Sequence, residues 1–250
     1  MATAPEPTPR KQYRKYFIPL ESNPDVFTEL IHELGVSPTL CFQDVLSLDD
    51  EELLTFVPRP ALALVLLFSS SSTYETHVAA DEAARQGYTG SGDDEDVIWF
   101  KQTIYNACGL YGILHAVCNG DARKHIAPNS TLSNLLAKGV PLEPEARGRV
   151  LEASAELESA YRVVAQKGDT EPPENPEDVV DFHYVCFVKS HENNRLYELD
   201  GDKKGPIDRG AINEDQDMLS QAALEPIREY IDRENGRSIN FSLIALVPAG

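Results

Sequence analysis

Lys101-Gln102-Thr103-Ile104-Tyr105-Asn106-Ala107-Cys108-Gly109-Leu110 is the stretch on which the reading of this 250-residue chain turns. It runs on into Tyr111-Gly112-Ile113-Leu114-His115, and apolar residues at Leu110, Ile113, Leu114 and Val117 recur at helical spacing. That spacing predicts a buried helix from Cys108 to Cys118. A cysteine then stands at a helix start, where backbone N–H groups and the helix dipole stabilise a thiolate, the form that attacks. Gly109 leaves no bulk beside the sulfur, so an incoming backbone is expected to approach there. A lone cysteine at a helix start is more often a small buried hydrophobe, so a nucleophile requires partners elsewhere in the chain.

A nucleophilic thiol needs a base, and the histidines are His32, His77, His115, His125, His183 and His191. His115 follows Cys108 on the same helix at a distance of about 10 Å, from a rise of about 1.5 Å per residue, which is beyond hydrogen-bond reach. It reads as a core or supporting residue. His183 is better placed, because Asp181-Phe182-His183-Tyr184-Val185-Cys186-Phe187-Val188 is a loop end running into a buried strand, and a strand holds an imidazole rigidly. The next strand, Leu196-Tyr197-Glu198-Leu199-Asp200-Gly201, ends in an acid that a hairpin would bring beside His183. Such an acid accepts the imidazole N–H and fixes its tautomer. An Asp-Gly turn at a strand end is equally common. Gln102 offers a neutral donor to an oxyanion, alongside the Cys108 N–H. Each signal is weak alone, but the order Gln, Cys, His, Asp is that of papain-like thiol hydrolases.

The chain carries 22 basic and 41 acidic residues, a formal charge of -19, which repels nucleic-acid phosphates and anionic membranes and favours a basic partner. With 42% hydrophobic and 25% charged residues it has the composition of one ordinary soluble domain. Residues 1–11 read as a disordered leader with no signal-peptide pattern. The longest apolar run, Ala61 to Phe68, is far short of the roughly 20 residues that span a bilayer and reads as a central strand. Cys41, Cys108, Cys118 and Cys186 are widely spaced, with neither a disulfide pattern nor a zinc cluster. A reducing, cytoplasmic setting without metal is expected.

Around the motif, Asn23-Pro24-Asp25 starts a helix whose stripe is Phe27, Leu30, Ile31 and Leu34 and which Gly35 closes. Further helices are expected over Leu48–Phe56, near Leu132–Leu136, over Pro144–Val164 as one long element, and over Gln216–Asp232. Strands are expected at Tyr184–Val188, Arg195–Leu199 and Phe241–Val247. Ser69–Ser72 reads as a polar turn, and Gly87–Asp96 as a mobile surface loop. Gly168 to Asp181 holds Pro172, Pro173, Pro176 and six acidic residues, and so long a connection inside a compact domain is a lid or a disordered segment.

KQTIYNACGLYGILH, DFHYVCF and LYELDG, with FIPLESNPDVFTEL, FQDV, VPRPALALVLLF and the closing NFSLIALVPAG, resemble the ubiquitin C-terminal hydrolases, a family of deubiquitinating cysteine peptidases. The resemblance implies an α/β, papain-like cysteine protease fold with a mostly antiparallel central sheet flanked by helices, and a knotted backbone that general topology rules would not anticipate. It places the catalytic domain over residues 12–250, in the short form without a C-terminal extension. It assigns Cys108 as nucleophile, His183 as base, Asp200 as its orienter and Gln102 as oxyanion donor, with no cofactor. It implies that residues 168–181 form a loop crossing the active site, which favours small or flexible leaving groups. The implied partner is ubiquitin or a ubiquitin-like modifier, with neither nucleic acid nor membrane, met by a monomer. Its contacts would be Asn106, Asp181 and Phe182 within the motifs, and Glu21, Asp25 and Asp44 toward the arginines of the ubiquitin tail. Two other readings stay open: a ubiquitin-binding module whose triad is misaligned until a partner arrives, and a thiol acyltransferase with the same residue order.

Overall fold

The computed structural model describes residues 13–171, 173–233 and 240–250. The leader expected over residues 1–11 lies outside the described residues. A short strand, β1 (Lys15–Tyr16), precedes α1 (Pro24–Glu33). Asn23 caps α1 by accepting the N–H groups of Asp25 and Val26 at 2.9 and 3.4 Å, satisfying donors that the helix cannot. Gly35 follows the helix with φ at +96°, a conformation that costs glycine nothing. Next come β2 (Leu40–Asp44), then α2 (Glu51–Leu54) capped by Asp50, then β3 (Ala63–Ser69), α3 (Ser72–Ala84), β4 (Ile104–Tyr105) and α4 (Cys108–Val117). α5 (Thr131–Gly139), α6 (Pro144–Glu152) and α7 (Ala155–Val164) lead to β5 (Phe182–Lys189), β6 (Arg195–Leu199), β7 (Ile207–Ala211), α8 (Gln221–Arg233) and β8 (Phe241–Pro248).

Six strands form the main sheet in the order β2-β8-β3-β5-β6-β7, and every neighbouring pair in it is antiparallel. β1 and β4 pair separately and in parallel. The central strands are covered on both faces, which explains why Ala61–Phe68 shows no polar alternation. Ala63 and Val65 join the core under α1, α4 and α7, while Leu64, Leu66 and Phe68 join the core under α8. β5 and β8 divide their side chains the same way, as a strand's period of two requires. The fold is therefore the expected α/β arrangement, a large antiparallel sheet between helices. No helix among the described residues is long and apolar enough to cross a membrane.

Three local expectations give way. The single helix over Pro144–Val164 is two helices, because the Ser154 hydroxyl accepts from Leu157 N–H at 3.2 Å and starts α7 afresh. Ser69–Ser72 does not end in a turn. Ser71 accepts from Tyr74 N–H at 3.0 Å and caps α3, a helix whose weakly amphipathic sequence hides it from periodicity. α8 begins at Gln221 rather than Gln216, since residues 217 and 218 bind Ala61 instead: Asp217 accepts its N–H at 2.9 Å and Met218 N–H meets its carbonyl at 3.0 Å.

The segment Gly87–Asp96 is a loop at the surface, and one of its residues reaches into the core. Glu95 within it is buried and paired with Arg147, which is fully buried and also donates to the carbonyls of Trp99, Gly139, Val140 and Leu142. Tyr88 adds a bond from its hydroxyl to Glu95 at 2.9 Å. This cluster fixes the approach of the chain to Trp99, Phe100 and Gln102, and so to the site.

Candidate active site

β4 turns into α4 through Asn106, whose φ of +55° is a left-handed conformation that asparagine tolerates better than most residues. Cys108 follows as the first residue of α4, a half-buried free thiol. The residue before it is Ala107, and no side chain caps this helix, so the first-turn N–H groups beside the sulfur are left for a bound group. Gly109 next to it is buried, and its missing Cβ has another explanation than the one its sequence context invites. A Cβ there would lie 3.2 Å from the Tyr184 ring and 3.3 Å from Leu20, so glycine lets α4 press onto β5, with no space for a substrate backbone.

His183 sits near the start of β5, opposite Phe68 of β3. Antiparallel pairing of β5 with β6, in the register Cys186↔Leu199, carries Asp200 to it. His183 Nε2 is 2.9 Å from Asp200 Oδ1, and Cys108 also interacts with the imidazole. With Nε2 taken, Nδ1 is the nitrogen that meets the sulfur. Burial opposes the imidazolium, but the Asp200 carboxylate, by charge and by hydrogen bond, outweighs it with help from Cys108 and raises the His183 pKa well above 6.5. Burial likewise opposes the Asp200 charge, yet His183, Lys203 and the Asp202 N–H hold its carboxyl well below the usual carboxylate range. The two buried groups therefore stabilise each other as an ion pair.

Gln102 is buried against the turn that follows Asp200, its Nε2 donating to the Ile104 carbonyl at 3.0 Å and keeping its second hydrogen for another acceptor. The turn after Asp200 is bound to the same segment: Gln102 N–H donates to Gly201 O at 2.8 Å and Trp99 Nε1 to Asp200 O at 3.0 Å. His115 is fully buried behind them, accepting Phe100 N–H on Nε2 at 3.0 Å, so its proton lies on Nδ1. That nitrogen faces the Leu199 carbonyl without a hydrogen bond of good geometry. His115 thus supports the Phe100–Gln102 backbone, as its distance along the helix from Cys108 requires.

A cleft of about 330 Å³ opens onto Cys108, with Leu20, Glu21, Asn106, Phe182 and Tyr184 in its walls. A cavity of about 400 Å³ at the far end of the sheet, around Lys189 and Asp217, holds none of the Gln, Cys, His and Asp set, and its lysine is bound to the carbonyls of Asn213, Glu214 and Gln216.

A family model, "Ubiquitin carboxyl-terminal hydrolase, family 1", matches residues 17–232. The chain belongs to the ubiquitin carboxyl-terminal hydrolase family. It is a hydrolase of the cysteine-peptidase type. A Drosophila melanogaster ubiquitin carboxyl-terminal hydrolase is 36% identical over 231 residues, covering 92% of this chain and 97% of its own. Human ubiquitin carboxyl-terminal hydrolase isozyme L1 is 34% identical, covering 92% of this chain and 98% of its own, and Arabidopsis thaliana ubiquitin carboxyl-terminal hydrolase 3 is 34% identical over 98% of each. Among solved structures, the Trichinella spiralis UCH37 catalytic domain bound to ubiquitin vinyl methyl ester superposes with a TM-score of 0.70 at 24% identity, over 93% of this chain and 95% of that one. That likeness shows the fold.

In this hydrolase residues 168–171 and 173–181 run beside the cleft and are tied to the rest of the chain. The Glu21 carboxylate accepts from Thr170 N–H at 2.8 Å and from Thr170 Oγ1 at 2.7 Å, bonds that lower its pKa. Asn106 Nδ2 donates to the carbonyls of Pro176 at 3.0 Å and Asp178 at 2.9 Å. Of the residues expected to touch a substrate, Glu21, Asn106 and Phe182 line the cleft, with Phe182 41% exposed. Asp181 is exposed and binds Ser70 N–H through its carbonyl. Asp25 and Asp44 lie outside the cleft as an exposed acidic pair, and partial burial followed by the Asp25 charge raises the Asp44 pKa. Tyr184 was not legible as a site residue. Its hydroxyl donates to Leu20 O at 3.0 Å, and the only trace of it in the sequence is the glycine at 109 that makes room for its ring.

Proposed function

We propose that this chain is a thiol-dependent deubiquitinase that hydrolyses the bond after the C-terminal glycine of ubiquitin. The observation that carries the reading is His183 Nε2 paired with Asp200 at 2.9 Å while the imidazole interacts with Cys108, whose thiol opens onto a cleft. That arrangement favours an enzyme over a binding module with a misaligned triad. Family membership, and relatives named for ubiquitin C-terminal hydrolysis, supply the substrate.

Cys108 Sγ attacks the glycine carbonyl carbon, and the carbonyl π electrons move to oxygen. Gln102 Nε2 and a first-turn N–H of α4 donate to that oxyanion. As it collapses, the bond to the leaving group breaks, and His183 delivers the proton that the departing amine or alcohol needs. The product is a Cys108 thioester. Water, deprotonated by His183, then attacks the thioester carbon, releasing the ubiquitin carboxylate and restoring the thiol. Asp200 fixes the imidazole throughout.

The tethered 168–181 segment supports a preference for small or flexible leaving groups, since a bulky one must pass it. Glu21, Asp25 and Asp44 lie on one flank and would attract the basic tail, mainly speeding encounter. Four free thiols support a reducing, cytoplasmic setting, and the reading is of a monomer acting on ubiquitin or a ubiquitin-like modifier.

Ubiquitin bearing a fluorogenic C-terminal leaving group tests this. Turnover by the wild type and its loss in Cys108→Ala, with ubiquitin binding retained, is the expected result, and unchanged turnover in Cys108→Ala overturns the assignment. Transfer of ubiquitin to an added amine in preference to water would make the chain an acyltransferase.

A further inference from the structure

The bond from His183 Nε2 to Asp200 holds the imidazole at one atom, like an axle, and leaves the ring free to turn about it unless something flanks its faces. Two aromatic rings stand together against one side of it. Phe68, the cross-strand partner of His183, stands edge-on at 5.8 Å between centroids and 83° between planes. Tyr74 of α3 stands next to Phe68 on the same side, at 6.4 Å and 35°. Phe68 and Tyr74 pack on each other at 4.6 Å, and Tyr230 of α8 closes the group at 4.9 Å from Phe68 and 6.2 Å from Tyr74.

Tyr74 is unlike the rest of its helix. Among the described side chains of α3 it alone is buried, at 8% exposure, while Glu75, Thr76, Ala79, Ala80 and Asp81 face solvent. The other end of α3 grips the turn that follows Asp200. Glu82 accepts Lys204 N–H at 2.6 Å, Lys204 Nζ donates to the Glu82 and Arg85 carbonyls at 2.5 and 3.0 Å, and Arg85 donates to Pro206 O at 2.7 Å. One helix thus touches the ring of His183 with its first turn and the loop of Asp200 with its last.

We infer that Tyr74 is a positioning residue for His183, and that α3 is a brace setting the imidazole and the Asp200 turn in one geometry. The inference rests on the reading of Cys108 and His183 given above. Tyr74 acts as a neutral wall: burial, and then the charges of Asp200, Glu198 and Asp202, keep its phenol protonated. The charged groups about the pair are Asp200, Glu198, Asp202 and Lys203 on the β6 side and Arg233 on α8. None of them is removed by changing Tyr74, so a changed pH profile reports the placement of the ring.

The test is the rate of iodoacetamide alkylation at Cys108, read by peptide mass spectrometry from pH 5.5 to 9.5, which requires no ubiquitin. In Tyr74→Leu the rate at pH 6 falls to about a tenth, a part of the roughly 10² to 10⁴ that a well-placed acid–base group contributes. The deficit closes near pH 9.5, where free thiols ionise unaided. Tyr74→Phe, which keeps the wall, stays within about twofold of wild type. On the fluorogenic ubiquitin substrate, Tyr74→Leu loses about tenfold in kcat with KM within twofold, the pattern of a displaced acid–base group. Glu82→Ala, which releases the far end of the brace and touches neither core nor triad, gives about a threefold deficit at pH 6. It decides the matter if Tyr74→Leu does not fold. Wild-type alkylation at every pH in both Tyr74→Leu and Glu82→Ala overturns the inference, as does a deficit that persists undiminished at pH 9.5. A wild type whose Cys108 reactivity depends on His183 but which fails to cleave ubiquitin overturns the substrate reading alone.

Discussion

Gly201 lies so close to Gln102 that a Cβ placed on it would stand 2.9 Å from the Gln102 Cβ, 3.1 Å from the Gln102 nitrogen and 3.1 Å from the Phe100 carbonyl oxygen. Two of these neighbours are backbone and cannot move aside without shifting the segment. The turn that carries Asp200 and the segment that carries Gln102 therefore form one contact with no room for a side chain. Gly201→Ala is expected to destabilise the fold by about 1 to 3 kcal/mol through overpacking. It should also lower kcat by up to about 10², the effect of losing one oxyanion donor. Thermal melting and steady-state hydrolysis check both, and wild-type values in each would remove the contact from the account of the site.

Asn106 joins the reversal before Cys108 to the segment that precedes β5. Asn106→Gly keeps the left-handed backbone and deletes the bonds to the Pro176 and Asp178 carbonyls. At about 0.5 to 1.5 kcal/mol per bond, amides of residues 177–181 should exchange with deuterium about tenfold faster. Relative turnover of a bulky over a small leaving group should rise. Unaltered exchange would show that the tether contributes nothing to holding the segment.

Arg147 and Glu95 are buried together, with 0% and 3% of their side chains exposed. Removing only the cation, as in Arg147→Met, leaves a buried carboxylate without its counter-charge and takes one donor from each of four carbonyls. The expected cost is about 3 to 5 kcal/mol, read as a fall in the denaturation midpoint. Adding Glu95→Leu should recover part of it, because the uncompensated charge is gone. A double variant no more stable than the single one would locate the cost elsewhere.

His115 makes stability depend on pH. Burial, working against weak support from the Asp200 charge, pushes its pKa down to about 3. In the unfolded chain a histidine titrates near 6.5. Between those values the unfolded state binds a proton that the folded state refuses, so stability is full above about pH 6.5 and declines as pH falls toward 3, by about 1.4 kcal/mol per unit. His115→Gln should flatten this part of the urea-midpoint curve relative to wild type. Parallel curves for the two proteins would assign the acid sensitivity to other groups.

The elements most legible in the sequence were those decided by near neighbours. Asn23 and Pro24 mark the start of α1, and the apolar spacing after Cys108 marks α4, because caps and helix faces are settled within about four residues. β3 was legible by its unbroken apolar run. β2 and β7 were not: β7, with Asp208, Arg209 and Gly210, has no apolar period and exists because β6 offers it an edge. α3 escaped for a related reason, since it is held by Tyr74 and by ion and carbonyl contacts to a turn more than a hundred residues away.

The site divides in the same manner. The sequence by itself determined which groups are available: a cysteine opening a helix with no capping side chain, a histidine entering a strand, an acid closing the next strand, and a glutamine before the cysteine. Only the tertiary structure decided that the β5–β6 register brings Asp200 within 2.9 Å of His183, and that Gly201 touches Gln102. It also decided that Asn106 and Glu21 bind Pro176 and Thr170 ahead of β5, and that Tyr74 stands beside the imidazole. These contacts join residues distant along the chain, so strand pairing and core packing select them, and nothing in the local pattern at either end encodes its partner.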